Sequence, residues 1–340
     1  MEIQEKYMAM LEAIAGKTIG LVYIFEGETA EGCAHYAVWQ ADVISAWLNA
    51  IQELRCMPLI MDVRTFVHKA TNNTLPHIDY VINLHNGTVS LSTLCLVPAT
   101  CAFLNVPCIP CDANTVSVGE NKVLSNIIAQ GVGLKVPRNL SLDAVNGINR
   151  PKNFGSSIGV VRGKKKLDVD LYQEFIDGVD MTTPILYNPL TGELDTLPAI
   201  LYVPDNQDPK WFLGEKEKAT HSTYTKHIIH FDNITKEHFL HMAETCGVDA
   251  FCRIDCRVHC KSTSEIQALR NSVVEFDKVF FIEINPMPTI KNGINYLMSL
   301  ENLVPGSSFA RCLELYNTYI STPSLTGFVL SCSILAKAKH

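Results

Sequence analysis

Two short segments in which polar and apolar residues alternate constrain the fold of this chain more than any other feature. The period of two in Phe251–His259 predicts a β-strand with one apolar face and one polar face. The polar face would hold Arg253, Asp255, Arg257 and His259, and the apolar face Cys252, Ile254, Cys256 and Val258. One side of this strand is therefore available for chemistry, and the other belongs to a hydrophobic core.

The second segment, Val279–Asn285, has the same period and ends at Pro286, which cannot continue a strand. Alternation predicts one face with Phe281, Glu283 and Asn285, and an opposite face with Phe280, Ile282 and Ile284. Asp255, Glu283 and Asn285 would then face one cleft. Their oxygens are ligands that Mg²⁺ prefers, and so few protein ligands leave positions for nucleotide phosphates. The pattern predicts a nucleotide-binding magnesium site, and the alternative is two polar faces in solvent.

Length and charge exclude several classes of protein. A chain of 340 residues with 47% apolar composition can bury a large core in two or three compact units. The net charge of -7 provides no basic surface for nucleic acid or an anionic membrane. Three prolines interrupt the longest apolar tract, 93–111, and the first residues lack the pattern of a secretory signal, so we expect a cytoplasmic protein without a membrane span.

The cysteines and histidines form no specific metal motif. Cys108 and Cys111 have the spacing of a redox or zinc site, but no second pair has matching spacing, so core packing is the preferred interpretation. Five of the eleven histidines lie between His221 and His241 without clustered acidic or cysteine ligands. We therefore expect a solvated surface there rather than a transition-metal site.

Apolar patterns along the chain indicate its organisation. A buried strand at 18–25 and a helical pattern at 31–54 open an α/β sheet that ends near Asp112. A helix is predicted at 120–131, with Leu124, Ile127 and Ile128 on one face. A glycine loop at 155–159 then joins two strands, and the loop precedes a strand rather than a helix, so neither Walker nor Rossmann geometry fits.

In this order, the segments resemble the D-alanine–D-alanine ligase branch of the ATP-grasp superfamily, from residue 19 to about 300. Segment 121–137 resembles its lysine-bearing helix, 155–160 its phosphate-covering loop, 174–180 its nucleotide hinge, and 253–255 with 283–286 its metal strands. The resemblance implies an ATP-grasp fold of the α/β class. It would comprise an N-terminal open α/β sheet for substrate binding (1–112), a small central α+β unit (113–180) and a C-terminal antiparallel-sheet unit for catalysis (181–340).

The resemblance also implies which residues bind ATP. Lys122 and Arg150 would contact the phosphates, and the backbone N–H groups of Ser156 and Ser157 would cover them. Ile176 would pack on adenine, Gln173 or Glu174 would accept from its amino group, and Asp180 would accept from the ribose hydroxyls. Taken singly, Ile176 could equally be core, Glu174 a surface charge and Lys122 a solvated lysine.

The chemistry implied is activation of a carboxylate by the γ-phosphoryl group of ATP, followed by attack of an amine. Asp255, Glu283 and Asn285 would bind Mg²⁺, with Mn²⁺ as a possible substitute. Arg253 would stabilise an oxyanion, unless it forms a static salt bridge with Asp255 or Glu283. Ser156 and a lysine of the candidate lid 203–221 would complete the catalytic set. Lys218 is preferred for this lysine, and Lys216 competes for the role.

The chain departs from the family pattern where the substrates would bind. Glu31, with Glu28 as a neighbour, resembles the glutamate that holds the first substrate's ammonium. Segment 88–93 replaces a Glu-Asp-Gly sequence, Thr289 replaces a glycine, and the serine that would grip the second carboxylate maps near Ile294. The resemblance therefore implies a specialised cytoplasmic ligase for ATP and small amino-acid or carboxylate substrates, dimeric through its first unit.

Two other functions stay open at the level of sequence. One resembling subgroup, the mycosporine-glycine ligases, activates an enol-like ring oxygen so that an amino acid forms an imine. A non-catalytic nucleotide-binding regulator is the other. The combination of Asp255, Glu283, Asn285 and Arg253 argues against the regulator, because a protein that only binds nucleotide has no need of an oxyanion-stabilising cation.

Overall fold

The first unit is a parallel sheet between helices. The computed structural model describes residues 2–25, 41–85, 91–141, 143–153, 155, 157–166, 170–220, 223–288 and 307–338. Helix α1 (Glu2–Ile14) precedes strands β1 (Thr18–Tyr23), β2 (Met57–Asp62), β3 (Tyr80–Asn83) and β4 (Cys108–Ile109), which pair in parallel in the order β2-β1-β3-β4. The connecting helices are α2 (Ala41–Glu53), α3 (Val63–Thr71), α4 (Leu91–Leu94) and α5 (Leu96–Leu104). The interior of β1 is apolar without interruption, as a strand covered on both faces requires.

A small central unit follows. Helices α6 (Ala113–Gly119) and α7 (Lys122–Gly131) lead into an antiparallel sheet of β5 (Gly147–Arg150), β6 (Val161–Gly163) and β7 (Leu171–Glu174), in the order β6-β5-β7. The glycine loop at 155–159 connects β5 to β6, which confirms the prediction that it joins two strands.

The largest sheet is antiparallel and carries the two strands predicted to hold the site. It contains β8 (Gly178–Asn188), β9 (Glu193–Thr196), β10 (Ala199–Pro204), β11 (Tyr224–Ile229), β12 (Phe251–His259) and β13 (Val279–Asn285). The order is β11-β10-β8-β12-β13, and β9 pairs with β8. The accompanying helices are α8 (Glu215–Thr220), α9 (Asn233–Thr245), α10 (Thr263–Leu269), α11 (Ser308–Tyr319) and α12 (Leu325–Lys337).

Two large hydrophobic clusters hold these layers together. The apolar face of β12, with Cys252, Ile254, Cys256 and Val258, packs in a cluster with Phe239 of α9, so the predicted alternation of this strand is confirmed. The other cluster joins the first unit to β8, β12, α11 and α12. Every residue of α12 is buried. The unit limits 1–112, 113–180 and 181–340 stay a prediction.

Strand β13 contains a β-bulge that reverses its alternation. Asp255 lies opposite Glu283, but the next residue, Cys256, lies opposite Phe281, so Ile282 is an extra residue. The prediction that Phe281 faces the site and Ile282 the core is therefore wrong. Phe281 is fully buried in the core, and Ile282 lines the cleft. Phe280, also predicted to face the core, lies opposite Arg257 beside His259 instead.

Helix α7 buries its polar face. The buried residues are Lys122, Ser125, Asn126 and Ala129, whereas Leu124 is 43% and Ile127 60% exposed. Of the apolar face that helped to predict this helix, Ile128 packs against the core of the large sheet, whereas Leu124 and Ile127 do not. The reason is positional, because a helix that turns Lys122 inward must also turn the residues three and four positions later inward.

The cysteines described are free thiols. Cys108 and Cys111 are buried. A hydrogen bond with Cys101 and burial raise the pKa of Cys108, and burial raises the pKa of Cys111. Within the described ranges, no group of three or more His, Cys, Asp or Glu side chains is placed to hold a metal. None of the helices in those ranges combines the length and the apolar character that crossing a membrane requires.

Candidate active site

A cleft opens between the central sheet and the polar face of the large sheet, with the N-terminus of α7 beside it. Close packing fixes this arrangement. A Cβ on Gly119 would lie 2.9 Å from Cδ of Pro286, so the junction of α6 and α7 sits directly against the end of β13. Asn121 caps α7 by accepting from the backbone N–H groups of Val123 and Leu124. Lys122, the first residue of the helix, is thereby directed into the cleft.

Glu283 is the electrostatic centre of the cleft. Its Oε2 lies 3.3 Å from Nζ of Lys122 and 3.5 Å from Nη2 of Arg150. Burial alone would raise the pKa of Glu283, but Lys122, Arg150, Lys218 and Arg253 outweigh burial and lower it to about 2. Glu283 is therefore ionised at neutral pH.

Asp255 lies directly opposite Glu283 on the neighbouring strand, where side chains on one face approach closely. Arg253 donates to it from Nε at 2.8 Å and from Nη2 at 2.7 Å, and the hydroxyl of Thr182 also donates to it. The static salt bridge, the alternative considered for Arg253, is thus the arrangement present. Burial alone would lower the pKa of Arg253, but Asp255, Tyr202 and Glu283 together raise it.

Asn285 completes the predicted metal set. It lies opposite Arg253 and two residues from Glu283, and its Oδ1 accepts from the backbone N–H of Met287 at 2.9 Å. The structure therefore brings all three predicted metal ligands to one face of two paired strands. Two carboxylates and an amide form an all-oxygen donor set, which suits Mg²⁺ and the similar Mn²⁺.

The positive charge around this set exceeds the negative charge of its two carboxylates. Four cations act on Glu283, namely Lys122, Arg150, Lys218 and Arg253. Arg150 is fixed by its bonds to the backbone oxygen of Ile282 at 2.9 Å and to Oε1 of Gln173 at 3.2 Å. Lys122 and Arg150 are buried, and Lys218 and Arg253 are partly buried. Cations that outnumber the two carboxylates of the set are suited to a polyanion such as a triphosphate.

The predicted nucleotide hinge lines the same cleft. Gln173 is buried and donates from Nε2 to the backbone oxygen of Pro137 at 3.0 Å. Glu174 accepts from the backbone and the guanidinium of Arg138. Ile176 is 8% exposed at the wall of the cleft. Oδ2 of Asp180 accepts from the backbone N–H of Leu213 at 2.8 Å and from Arg257 at 3.0 Å.

A lysine of the candidate lid reaches the glycine loop. Lys218, on α8, donates from Nζ to Oγ of Ser157 at 2.8 Å, and this Oγ donates to the backbone oxygen of Leu213 at 3.0 Å. Burial lowers the pKa of Lys218. Ser157 has a φ of +61°, a left-handed conformation uncommon for serine. Lys216 is exposed, so the structure brings Lys218 rather than Lys216 to the cleft.

Several predicted residues lie outside the described part of the chain. These are Glu31 and its neighbour Glu28, Ser156 of the glycine loop, and Thr289 and Ile294 beyond β13.

Three residues were missed by sequence reasoning: Glu120 and Arg257 beside the cleft, and His85 at the end of β3. Burial and Glu283 raise the pKa of Glu120 to about 7, against the opposing effects of Lys122 and Arg253. Its position just before Lys122 was a signal in the sequence that Glu120 could lie near the cleft. His85 follows β3 and is 3% exposed, and burial lowers its pKa. Arg257 was placed on the polar face but given no role.

Comparison with solved structures identifies the fold. The structure superposes on a D-alanine–D-alanine ligase from Bacillus anthracis complexed with ATP, with a TM-score of 0.59 and 12% identity over 96% of this chain and 99% of that chain. The chain has an ATP-grasp fold. A second structure of the B. anthracis ligase gives a TM-score of 0.59 at 12% identity, covering 96% of this chain and 100% of that one.

A ligase with a different acceptor shares this ATP-grasp fold. The VanG D-Ala:D-Ser ligase from Enterococcus faecalis gives a TM-score of 0.58 at 14% identity, over 90% of this chain and 100% of that chain. No family model and no curated protein sequence matches the chain. The parallel sheet, the small antiparallel sheet and the large antiparallel sheet follow each other as the sequence analysis predicted.

Proposed function

We propose that this protein is an ATP-dependent ligase. It phosphorylates a carboxylate or a carboxylate-like oxygen, joins it to the amine of an amino acid through a C–N bond, and releases ADP and phosphate. The observation that carries the proposal is the convergence of four cations on Glu283, opposite Asp255, in the cleft of an ATP-grasp fold. Neutralising cations are what a reaction between a triphosphate and a carboxylate requires, because the two anions repel each other.

Asp255, Glu283 and Asn285 would hold the divalent ion. Their oxygens fit Mg²⁺ or Mn²⁺ by donor chemistry and by their common face on β12 and β13. When bound, the ion would neutralise charge on the phosphate oxygens. Binding would also offer Asp255 a second positive partner, so that Arg253 could exchange its carboxylate bonds for bonds to a reacting oxygen.

The remaining residues position the two reactants. Lys122 and Arg150 bind phosphate oxygens from fixed, buried positions, and Lys218 adds a further cation from the lid. Ser156 and Ser157 cover the phosphates, while Ile176, Gln173 or Glu174, and Asp180 bind the nucleoside. Arg253 stabilises the oxyanion formed when the amine attacks. Closure of the lid onto Ser157 keeps water away from the activated acyl group.

The proposed substrates are inferred from the positions at which this sequence differs from the family pattern. Glu31 is proposed to hold an ammonium group, and the changed residues at 88–93, Thr289 and Ile294 favour substrates other than two D-alanines. ATP, an amino acid and a small carboxylate are the proposed partners. A cytoplasmic homodimer stays the expected form.

The test is ADP and phosphate release from ATP with mixtures of amino acids and candidate carboxylates, with mass spectrometry to identify the product. Asp255→Ala and Glu283→Ala should abolish turnover and leave the circular dichroism spectrum unchanged. Glu193→Ala, an exposed acid on β9, is the control and should retain wild-type turnover. Wild-type turnover in either site variant would remove the metal assignment. Binding of ATP by the wild type without ADP formation for any amine would favour a nucleotide-binding regulator.

A further inference from the structure

Arg257 is a buried cation two residues beyond Asp255 on β12. It is 4% exposed, and its guanidinium lies between two segments that are far apart in the sequence. One is residues 176–180 of the nucleotide hinge. The other is residues 209–213, in the middle of the candidate lid, just before α8 and Lys218.

The hinge receives three hydrogen bonds from this side chain. Nε donates to the backbone oxygen of Ile176 at 2.7 Å, Nη2 to that of Gly178 at 2.7 Å, and Nη1 to Oδ2 of Asp180 at 3.0 Å. The guanidinium also lies 4.8 Å from the ring centroid of Phe175, within the range of a cation–π contact. Arg257 therefore fixes the part of the hinge that would contact the nucleoside.

The lid is bonded to the same groups. Nη2 of Arg257 donates to the backbone oxygen of Trp211 at 2.8 Å, with that of Pro209 at 3.4 Å. The carboxylate oxygen of Asp180 that accepts from Arg257 also accepts from the backbone N–H of Leu213 at 2.8 Å. Hinge and lid are thus joined through one guanidinium and one carboxylate.

The connection continues to the phosphate end of the cleft. The backbone oxygen of Leu213 accepts from Oγ of Ser157, and the same Oγ accepts from Nζ of Lys218. Phe212 and Leu213 of the lid, Ile176 and Asp180 of the hinge, and Arg257 between them all line the cleft. A nucleotide in the cleft would therefore touch both of the segments that Arg257 joins.

Stability alone does not explain a charge at this position. Burying a guanidinium costs desolvation energy, and a well-packed apolar side chain of similar volume often stabilises a protein at least as well as a buried ion pair. Only the planar, five-donor guanidinium can bond to carbonyls and a carboxylate of two segments at once. The observations therefore favour a role in holding hinge and lid in one relative position.

We propose that Arg257 is a positioning residue that couples occupation of the nucleotide hinge to closure of the lid, and so places Lys218 at the phosphates. This inference rests on the proposed ATP-dependent function. Without Arg257 the nucleoside still binds between the residues that line the cleft, but the lid is no longer held closed when ATP binds. The loss falls on kcat more than on the KM for ATP, because the lysine is misplaced during the chemical step.

The experiment compares wild type, Arg257→Met and Arg257→Lys. Trp211 lies in the lid, so the part of the tryptophan fluorescence that is absent in Trp211→Phe reports lid closure when ATP is added. We expect Arg257→Met to lower kcat by roughly 100-fold, the order of loss that a misplaced catalytic group produces, with little change in KM and with loss of the Trp211 response. Arg257→Lys should not restore either property, since lysine lacks the fork of donors. Arg311→Met, an exposed arginine on α11, is the control for removal of a positive charge and should behave as wild type.

A double variant tests the coupling directly. If Arg257 acts through Lys218, Lys218→Ala should cost much less in the Arg257→Met background than in wild type. Equal, additive losses would overturn the coupling, as would a wild-type kcat and Trp211 response in Arg257→Met.

Should Arg257→Met not fold, hydrogen exchange of wild type decides the question. ATP should slow exchange at the amide of Leu213, and an unchanged rate would overturn the proposal. A wild type with no response to ATP in any assay would overturn the proposed function itself.

Discussion

At the scale of single residues, Lys218 is held in the cleft by one hydrogen bond to Ser157 and is surrounded by Glu283, Asp255 and Asp180, whose charges oppose the lowering of its pKa by burial. We expect Lys218→Ala to lower ATP turnover by about 100-fold, the size of effect seen when one preorganised donor is removed from a developing charge. Lys216→Ala, two residues away and exposed, is the matched control and should retain turnover. Steady-state ADP release measures both, and equal losses would show that the lid needs charge rather than one placed lysine.

His85 predicts a pH dependence of stability. Burial lowers its pKa from 6.5 to about 4, against weaker opposing effects of the Thr93 backbone and Asp62. The unfolded chain therefore binds a proton between these two values that the folded chain does not, so the stabilisation is complete above pH 6.5 and is lost as pH falls toward 4. Each pKa unit corresponds to about 1.4 kcal/mol, which gives a loss of about 3 kcal/mol from this residue.

The measurement is urea unfolding of wild type and His85→Gln at pH 7 and pH 4.5. Glutamine does not titrate, so the variant should lose less stability on acidification than wild type. The difference between the two proteins removes the contribution of other titrating groups. Parallel losses in both proteins would show that His85 is not buried in its neutral form.

At the scale of elements, the bulge in β13 decides which aromatic side chain supports the site. Phe281 is fully buried in the core of the large sheet, whereas Phe280 is only partly buried on the polar face. Phe281→Ala should lower the free energy of unfolding by about 3–5 kcal/mol, as expected for removal of a buried aromatic ring. Phe280→Ala should cost clearly less. Urea unfolding of the two variants tests the assignment, and the opposite ranking would restore the regular alternation that the sequence suggested.

The same elements show how far the sequence could lead. Strand β12 was predicted correctly because its alternation is unbroken. Glu283 and Asn285 keep the predicted alternation because the bulge lies before them in β13, whereas Phe280, Phe281 and Ile282 do not. The bulge itself leaves no signal in an apolar run such as Val-Phe-Phe-Ile. Helix α7 was predicted from Leu124, Ile127 and Ile128, but Leu124 and Ile127 are exposed and only Ile128 packs against a core. The position of Lys122 in the cleft fixes which face of the helix is buried. Arg257 could be assigned to a face, but its partners at 176–180 and 209–213 are known only from tertiary structure.

At the scale of the whole molecule, the C-terminal helix joins the first and last units. All of α12 is buried, and it packs against α2 of the first unit and against β8 of the large sheet. Lys337, near its end, bonds to both oxygens of Asp249, just before β12. Phe328 is fully buried beside Tyr316 and belongs to the same cluster as Leu21 of β1 and Phe251 of β12. The first unit and the large sheet therefore share one core.

A shared core predicts that the two units unfold together. Phe328→Ala should lower the free energy of unfolding by about 3–5 kcal/mol. Hydrogen exchange in increasing denaturant should show the amides of β1 and those of β12 losing protection by the same amount, because both strands depend on the cluster that Phe328 fills. Phe103→Ala is the control, since that ring is 75% exposed and its removal should change stability by less than about 0.5 kcal/mol. Loss of protection in β12 alone, with β1 unchanged, would mean that the units are energetically separate and that α12 belongs to the last unit only.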